Sequence, residues 1–508
     1  MSALHPSTAA GRPAAPGWRA VVLAVVLGTG FGLALNPIWN LEGRWFVVCI
    51  VGIAMATVAM MVARRFSHVT FIALLFSVPL AGFSKWTFLD ENRFSQDVRD
   101  ASLYTGTLGI GLVDCLLLAA YAAWAFRIFA LRAEPLPRLE KIDRWVGLVV
   151  LASVLSQWGA EQPLALFALE HQVKYALIYL YVSRHFQREH LPWFMASIGF
   201  AVLAESAIGV LQFVDVLPPG LILDKGAGGD RLEQQYQVPG IENISRATGS
   251  LYDSHALGTY LSMLMPFLVM FLYKRELAPR LRVACGVLLA LALVALVVTY
   301  SRSAWLGSAF STGLCVIVLL AWRERYVGKS LLVVVIAAVI GGPLVLSKVF
   351  ARLFEAPTDL LLVRFEQFPI AWAIWRENFL FGAGAGNYMV RMEAVNTNWS
   401  LPEPVHNVML FIGAELGLLG VIAYYGLVAV VLTRFWAIAH RREEPWCRVA
   451  VAAFAGMLAY VFDGMSNPIF REPTIYMFFW ISVAVATALS RITRMTREPT
   501  AVSAGRLQ

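Results

Sequence analysis

Apolar stretches of roughly 17–25 residues recur along this chain, separated by short polar or basic connections, and each could cross a bilayer core as a helix. Backbone groups inside lipid have no water to bond, so such segments must satisfy themselves by forming helices. The pattern therefore predicts an all-α, polytopic integral membrane protein with about 12–14 transmembrane helices. The apolar segments fall at 18–36, 45–63, 69–84, 106–126, 145–160, 164–183, 192–213, 255–273, 283–300, 303–322, 330–347, 407–433, 449–466 and 473–490.

Two connections are too long to be turns, 214–254 and 348–405. Loops of this length in a compact protein carry function or remain disordered. The second contains RFEQFPIAWAIWRENFLFG, in which Phe365, Phe368, Trp372, Trp375 and Phe379 recur at helical steps. That spacing predicts an amphipathic helix lying in the membrane interface. The chain is accordingly divided into a cytoplasmic tail 1–17, N-terminal membrane helices 18–213, a second membrane domain 214–490 that includes both long loops, and a tail 491–508.

Composition agrees with this reading. Of 508 residues, 59% are hydrophobic and 15% charged, whereas a soluble domain carries about a quarter charged residues. Lys and Arg sort mainly onto one side of the predicted topology, which places both termini in the cytoplasm. The net charge of +8 follows from that bias as a basic rim on the membrane lipids, with no nucleic acid required. Cys49, Cys115, Cys285, Cys315 and Cys447 lie in spans or at their inner ends. No structural disulfide or metal site is expected from them.

Candidate chemistry gathers on the outer side. Arg246, in SRATGSLYDSHALGTYL, precedes one span, and Arg302, in VTYSRSAWLGS, lies in a tight link between two. An arginine beside hydrocarbon needs an anion or a water-filled cavity, or else it snorkels to the headgroups. A pyrophosphate fits the first case, because guanidinium binds its oxygens in bidentate fashion. His406, in PVHNVMLFIGAELGLLG, stands where a span begins, and Gly413, Gly417 and Gly420 follow at helical spacing. They form a small-residue face for close packing that could hold His406 as a general base. An imidazole at a helix start can equally serve as a cap, and His255 is a rival base. Glu205, Glu415 and Asp463 are intramembrane acids, either functional or structural. Glu170 and Lys174, four apart, are expected to pair.

These elements resemble the O-antigen ligase and O-antigen polymerase family of bacterial membrane glycosyltransferases. The family pattern of His-Asn, nine residues, Gly, two residues and Gly is matched by His406, Asn407, Gly417 and Gly420. FLFGAGAGNY, with Gly382, Gly384 and Gly386, resembles the glycine-rich segment before the histidine. YSRSAWLG resembles the Ser-Arg element, and RATGSLYDSHALGTYL the upstream arginine element. The resemblance covers residues 240–470. It implies an undecaprenyl-pyrophosphate-linked glycan donor and a periplasmic site in a multi-pass protein of the bacterial inner membrane. No nucleotide, metal or other cofactor is implied. It assigns the pyrophosphate to Arg246, Arg302 and Arg364, and activation of the acceptor hydroxyl to His406. Asn407, Gly417 and Gly420 of the motif are expected as supporting residues, and so, from their own positions, are Glu415 and His255.

The acceptor stays open among lipid A–core (a ligase), a growing glycan (a polymerase) and protein (an O-oligosaccharyltransferase). From another class, a transporter of small anions or lipid-linked sugars also places arginines around a cavity. It is disfavoured because the charges cluster at one face and no inverted repeat is evident.

Overall fold

The computed structural model describes residues 66–82, 111–132, 134–135, 137–160, 164–217, 246–251, 253–324, 327, 359–395, 404–469 and 472–495. The expected spans 18–36, 45–63 and 330–347, the tails 1–17 and 496–508, and Cys49 lie outside them. Thirteen α-helices and no strand occur among the described residues. They are α1 Phe66–Phe76, α2 Leu112–Ala125, α3 Lys141–Leu155, α4 Leu164–His185, α5 Leu191–Phe213 and α6 Ser254–Leu272. There follow α7 Pro279–Val298, α8 Arg302–Ala321, α9 Asp359–Glu377, α10 Tyr388–Val395, α11 Val408–His440, α12 Trp446–Asp463 and α13 Pro473–Met495.

Eight segments are long and apolar enough to cross a membrane: Leu112–Ala130, Arg188–Phe213, Ser254–Leu272, Pro279–Val298, Arg302–Ala321, Val408–His440, Trp446–Asp463 and Pro473–Arg494. The protein is an all-α, multi-pass membrane protein. Three expected spans differ from this set. Residues 69–84 contain α1, of 11 described residues, and the short 3-10 turn Val78–Leu80. Residues 145–160 contain α3, which ends at Leu155 and tightens into the 3-10 turn Ser156–Gly159. The third, α4, has 22 residues, but Glu170, His171 and Lys174 make it more polar. Lys174 lies 3.2 Å from Asp114 and 3.9 Å from Glu170, so the expected pair is present and a second carboxylate shares it.

The chain separates into two compact units. Unit 1, Met1–Phe71 with Leu116–Arg138, includes most of α2, which closes in a π-helical turn, Phe126–Ala130. Unit 2, Ile72–Cys115 with Leu139–Gln508, holds α3 to α13, and α1 is divided between the units. Its axis is α6, buried along nearly its whole length and packed by α12, α8 and α7. The contact with α12 is close because Gly456 has no side chain: a Cβ there would lie 2.5 Å from the Met263 carbonyl oxygen. Lipid tails are as apolar as the helices themselves, so such backbone approach replaces the hydrophobic drive as the source of packing energy.

The helices α6, α7, α8, α11 and α12 alternate in direction, and their ends are chemically unlike. At one end Glu324, just after α8, pairs with Arg448 at the start of α12 and lies 3.2 Å from Arg275 after α6. Arg448 also donates to the Met270 carbonyl at 3.0 Å, and Arg282 of α7 to the Lys274 carbonyl at 3.2 Å. At the other end lie the start of α6, the α7–α8 link, the start of α11 and the end of α12.

Candidate functional site

The segment bearing Arg246 is held by two side chains of α5. Gln212 accepts from the backbone N–H groups of Thr248 (3.0 Å) and Gly249 (2.8 Å), and its own amide donates to the Gly249 carbonyl at 2.9 Å. Glu205 accepts from the Ser250 N–H at 2.8 Å and from its hydroxyl. An amide and a carboxylate buried in a transmembrane helix would be costly alone; here they satisfy a loop that must turn at the membrane surface. From the other side the Ala247 N–H donates to the Val298 carbonyl at 3.1 Å.

So anchored, Arg246 is buried, at 6% exposure. Its Nε donates to the Thr299 carbonyl at 3.0 Å, and its Nη2 lies 3.4 Å from His255 Nε2. Guanidinium has no acceptor, so His255 Nε2 is the accepting nitrogen and Nδ1 carries the proton. That proton faces Ser301 Oγ at 2.7 Å. The rival base is thus committed at both ring nitrogens, as a strut between Arg246 and the α7–α8 link.

Ser301 is also the N-cap of α8, accepting from the Ala304 N–H at 3.4 Å. Arg302 is the first residue of that helix, half-buried, and makes no hydrogen bond or ion pair among the described residues. It stands where the helix dipole presents positive charge. The polar chain continues from Ser301 to Ser303 at 3.3 Å, to Asn467 at 2.8 Å and to Asp463 at 2.9 Å. Asp463 also accepts from Thr259 of α6.

His406 and Asn407 divide their labour. Asn407 is the N-cap of α11: its Oδ1 accepts from the Leu410 N–H at 3.0 Å, and its Nδ2 donates to the Met465 carbonyl at 3.2 Å. The adjoining Val408 N–H donates to the Gly464 carbonyl at 2.8 Å. His406 precedes the cap and is held by Gln367 of α9, whose Oε1 lies 3.1 Å from its backbone N and 2.8 Å from Nδ1. Burial, with the charge of Arg364 beside it, pushes the His406 imidazole down to about 4, although Asp253 and the Pro404 carbonyl oppose the shift. It is neutral at physiological pH.

The charges of Arg364 and Asp253 act on Arg246 as well as on His406, and His255 is coupled to all four. Asp253 is the N-cap of α6. Burial works to raise its carboxyl, but His255, Arg246 and the His255 backbone N–H outweigh that and hold it below the usual range. The structure therefore brings Arg246, His255, Arg364 and His406 into one electrostatic cluster, and Arg302 follows Ser301, the hydrogen-bond partner of His255, in the chain. A site with this excess of guanidinium groups favours an anion over a metal cation.

Gly417 departs from the expected small-residue face. It interrupts α11 with φ 66° and ψ −167°, a conformation open only to glycine. The break leaves helical groups unpaired, and the segment before α10 takes them. The Ala414 and Glu415 carbonyls accept from Ala383 (2.8 Å) and Gly384 (3.0 Å), while Leu418 and Leu419 donate to the Phe379 (2.9 Å) and Leu380 (3.2 Å) carbonyls. Gly382, at φ 75°, crosses so closely that a Cβ would meet the Glu415 carbonyl at 2.3 Å. The Glu415 side chain accepts from the Tyr388 N–H at 3.3 Å, so it supports the glycine-rich crossing. A Cβ on Gly413 would lie 2.5 Å from the Trp375 ring of α9, and that packing sets the helix carrying Gln367. Gly420 lies one turn beyond the break, where a Cβ would fall 2.2 Å from Leu416 Cβ. The expected aromatic helix is α9, with Trp375 buried and Phe365 and Trp372 exposed.

Gln212, Gln367, Ser301 and Asp253 are the site residues that sequence reasoning missed. Two of them are glutamines within apolar or aromatic helices, where a buried amide is itself a signal.

Residues 287–425 match the family model described as O-antigen ligase. The match takes in Arg302, Arg364, His406, Asn407, Glu415, Gly417 and Gly420, and ends in α11 beyond its break. No curated protein matches the chain. Over this segment the multi-pass membrane protein is similar to the O-antigen ligase family.

Proposed function

We propose that this protein transfers a glycan from undecaprenyl pyrophosphate to an acceptor hydroxyl at the periplasmic face of the inner membrane, lipid A–core being the acceptor. The observation that carries this reading is the convergence of a neutral, half-buried imidazole with the buried guanidinium of Arg246 and the Arg364 charge. His406 takes the proton of the acceptor hydroxyl as its oxygen attacks the anomeric carbon. The bond from that carbon to the pyrophosphate oxygen breaks, and the electron pair leaves with the pyrophosphate. Arg246, Arg302 and Arg364 stabilise the charge gained by the leaving group. Preset guanidinium groups suffice for this in a low-dielectric site.

Sidedness is argued from the two helix ends. Lys274, Arg275, Arg280, Arg282, Arg441, Arg442 and Arg448 gather at the end opposite His406 and Arg246, which makes that end cytoplasmic. Cytoplasmic termini are part of the same proposal, taken from the distribution of Lys and Arg along the sequence. On this proposal residues 214–490 hold the transfer chemistry.

Photo-crosslinking with a polyprenyl-pyrophosphate glycan carrying a diazirine tests the donor site. Labelling of wild type that falls in Arg302→Ala and is competed by unlabelled polyprenyl pyrophosphate is the expected result. Labelling indifferent to Arg302 and to competitor would contradict the reading. Net movement of the labelled lipid across vesicles without transfer would favour a transporter.

A further inference from the structure

Gln367 lies in α9 among Phe365, Phe368 and Trp372 and is itself buried, at 1% exposure. An amide in that position is retained at a cost unless both its ends are used. Among the described residues its oxygen end is used by one residue alone: the backbone N–H and the Nδ1 of His406 both approach Oε1, at 3.1 and 2.8 Å. The backbone N–H can only donate, so the atom between them is the amide oxygen and not the nitrogen. Nδ1 therefore carries the imidazole proton, and the lone pair resides on Nε2. Which nitrogen of a histidine is basic is set by the hydrogen bond the other makes.

The nitrogen end is different. Gln367 Nε2 is buried and has no hydrogen-bond partner among the described residues. An unsatisfied buried donor is costly, and an incoming oxygen would remove that cost. Three guanidinium groups already serve the pyrophosphate. The neutral amide beside the base is suited instead to the uncharged oxygens around the attacking hydroxyl.

The geometry points to Gln367 as a positioning residue with two ends: its oxygen fixes His406 in the tautomer whose Nε2 is basic, and its nitrogen donates to an acceptor oxygen next to the attacking hydroxyl. This deepens the reading of His406 as general base and rests on it. A neutral orienting group also suits the surroundings. A carboxylate at the same place would favour the imidazolium, which cannot take a proton, and would compete with the pyrophosphate for Arg364.

The test uses full-length protein in lipid nanodiscs, labelled with 15N-histidine, the His406 resonances being identified by their loss in His406→Gln. Wild type is expected to show protonated Nδ1 and bare Nε2. Gln367→Leu, checked for unchanged thermal stability, is expected to show a mixture of tautomers. Its transfer kcat should be ~10²-fold lower, and its acceptor KM higher. Gln367→Glu is expected to restore the single tautomer while moving the titration of His406 upward, with the acid limb of the pH–rate profile moving in parallel. An unchanged tautomer in Gln367→Leu, or unchanged kinetics with that variant, would overturn the assignment. Absence of transfer by wild type with the expected tautomers would overturn the glycosyl-transfer reading and leave the Gln367–His406 pairing established by the resonances.

Discussion

Gly417 and Leu380 are in backbone contact: a Cβ added to the glycine would lie 2.4 Å from both the carbonyl carbon and the carbonyl oxygen of Leu380. The contact exists because α11 is broken at Gly417 and its freed groups are satisfied by the turn and loop 379–384. The His-Asn…Gly…Gly spacing thus has a mechanical meaning. The cap at Asn407 fixes where α11 starts, and the break fixes where the crossing segment enters. His406 sits between α9 and that framework.

Gly417→Ala is expected to destabilise the protein through its backbone conformation alone by about 1–3 kcal/mol, with the overlap at Leu380 adding to this. Gly147→Ala provides the control. Gly147 is exposed on α3, and a Cβ added there would have nothing within 4 Å, so the substitution gains about 0.5–1 kcal/mol of helix preference. Thermal melts in detergent should fall for the first variant and hold or rise for the second.

Acidity separates His406 from an ordinary histidine. With its pKa pushed down to about 4 from 6.5, kcat/KM should stay level through weakly acid pH and fall only as the medium nears pH 4. Stability follows with a definite sign. Between 4 and 6.5 the unfolded chain binds the proton that folded His406 refuses, so this group's contribution increases as pH rises through that window. An acid limb near 6.5 in the pH–rate profile would show the imidazole to be solvated.

The two upstream arginines should respond differently to removal. Arg246 is buried and bonded to Thr299 and His255, so Arg246→Ala should lower the melting temperature as well as transfer. A hydrogen bond to a charged group contributes about 1.5–3 kcal/mol. Arg302, half-buried and uncommitted, should lose donor affinity and kcat on mutation to Ala with little change in melting temperature. Paired kinetic and thermal measurements on both variants check the distinction.

How much of this was legible in the sequence can be judged from particular residues. Span lengths and hydropathy were enough to place α5, α6, α7, α8, α12 and α13, because lipid leaves an apolar segment no alternative to a helix. Arg246, Arg302 and His406 stood out as polar residues at span ends. Their partners did not, because the contacts join distant positions: Gln212 with Thr248, His255 with Ser301, Gln367 with His406. No local pattern encodes them. Gly417 was read as part of a packing face, since three glycines at helical spacing look alike whether they line a contact or allow a break. For α4, length suggested a span, and the ion pairs of Lys174 with Asp114 and Glu170 explain how its polar residues are accommodated.

Glu472, which precedes α13, provides a test away from the transfer site. Burial, with Glu205 nearby, pushes its carboxyl up to about 8 from 4.5, despite the N–H donors of Ile475 and Thr474. The folded state therefore holds a proton that the unfolded chain releases between those values. Stability contributed by this group should fall as pH rises from 4.5 to 8. Glu472→Gln should flatten that dependence and leave the protein more stable than wild type in alkaline buffer.

The most direct measurement is transfer by purified protein in liposomes containing undecaprenyl-pyrophosphate glycan and lipid A–core, comparing wild type with His406→Gln and Arg302→Ala. The account predicts glycan on lipid A–core with wild type alone, and with His406→Gln a donor that still binds but is not turned over. Wild-type rates in His406→Gln would contradict it, and a lengthening glycan ladder in place of the lipid A–core product would move the acceptor from lipid A–core to the glycan itself.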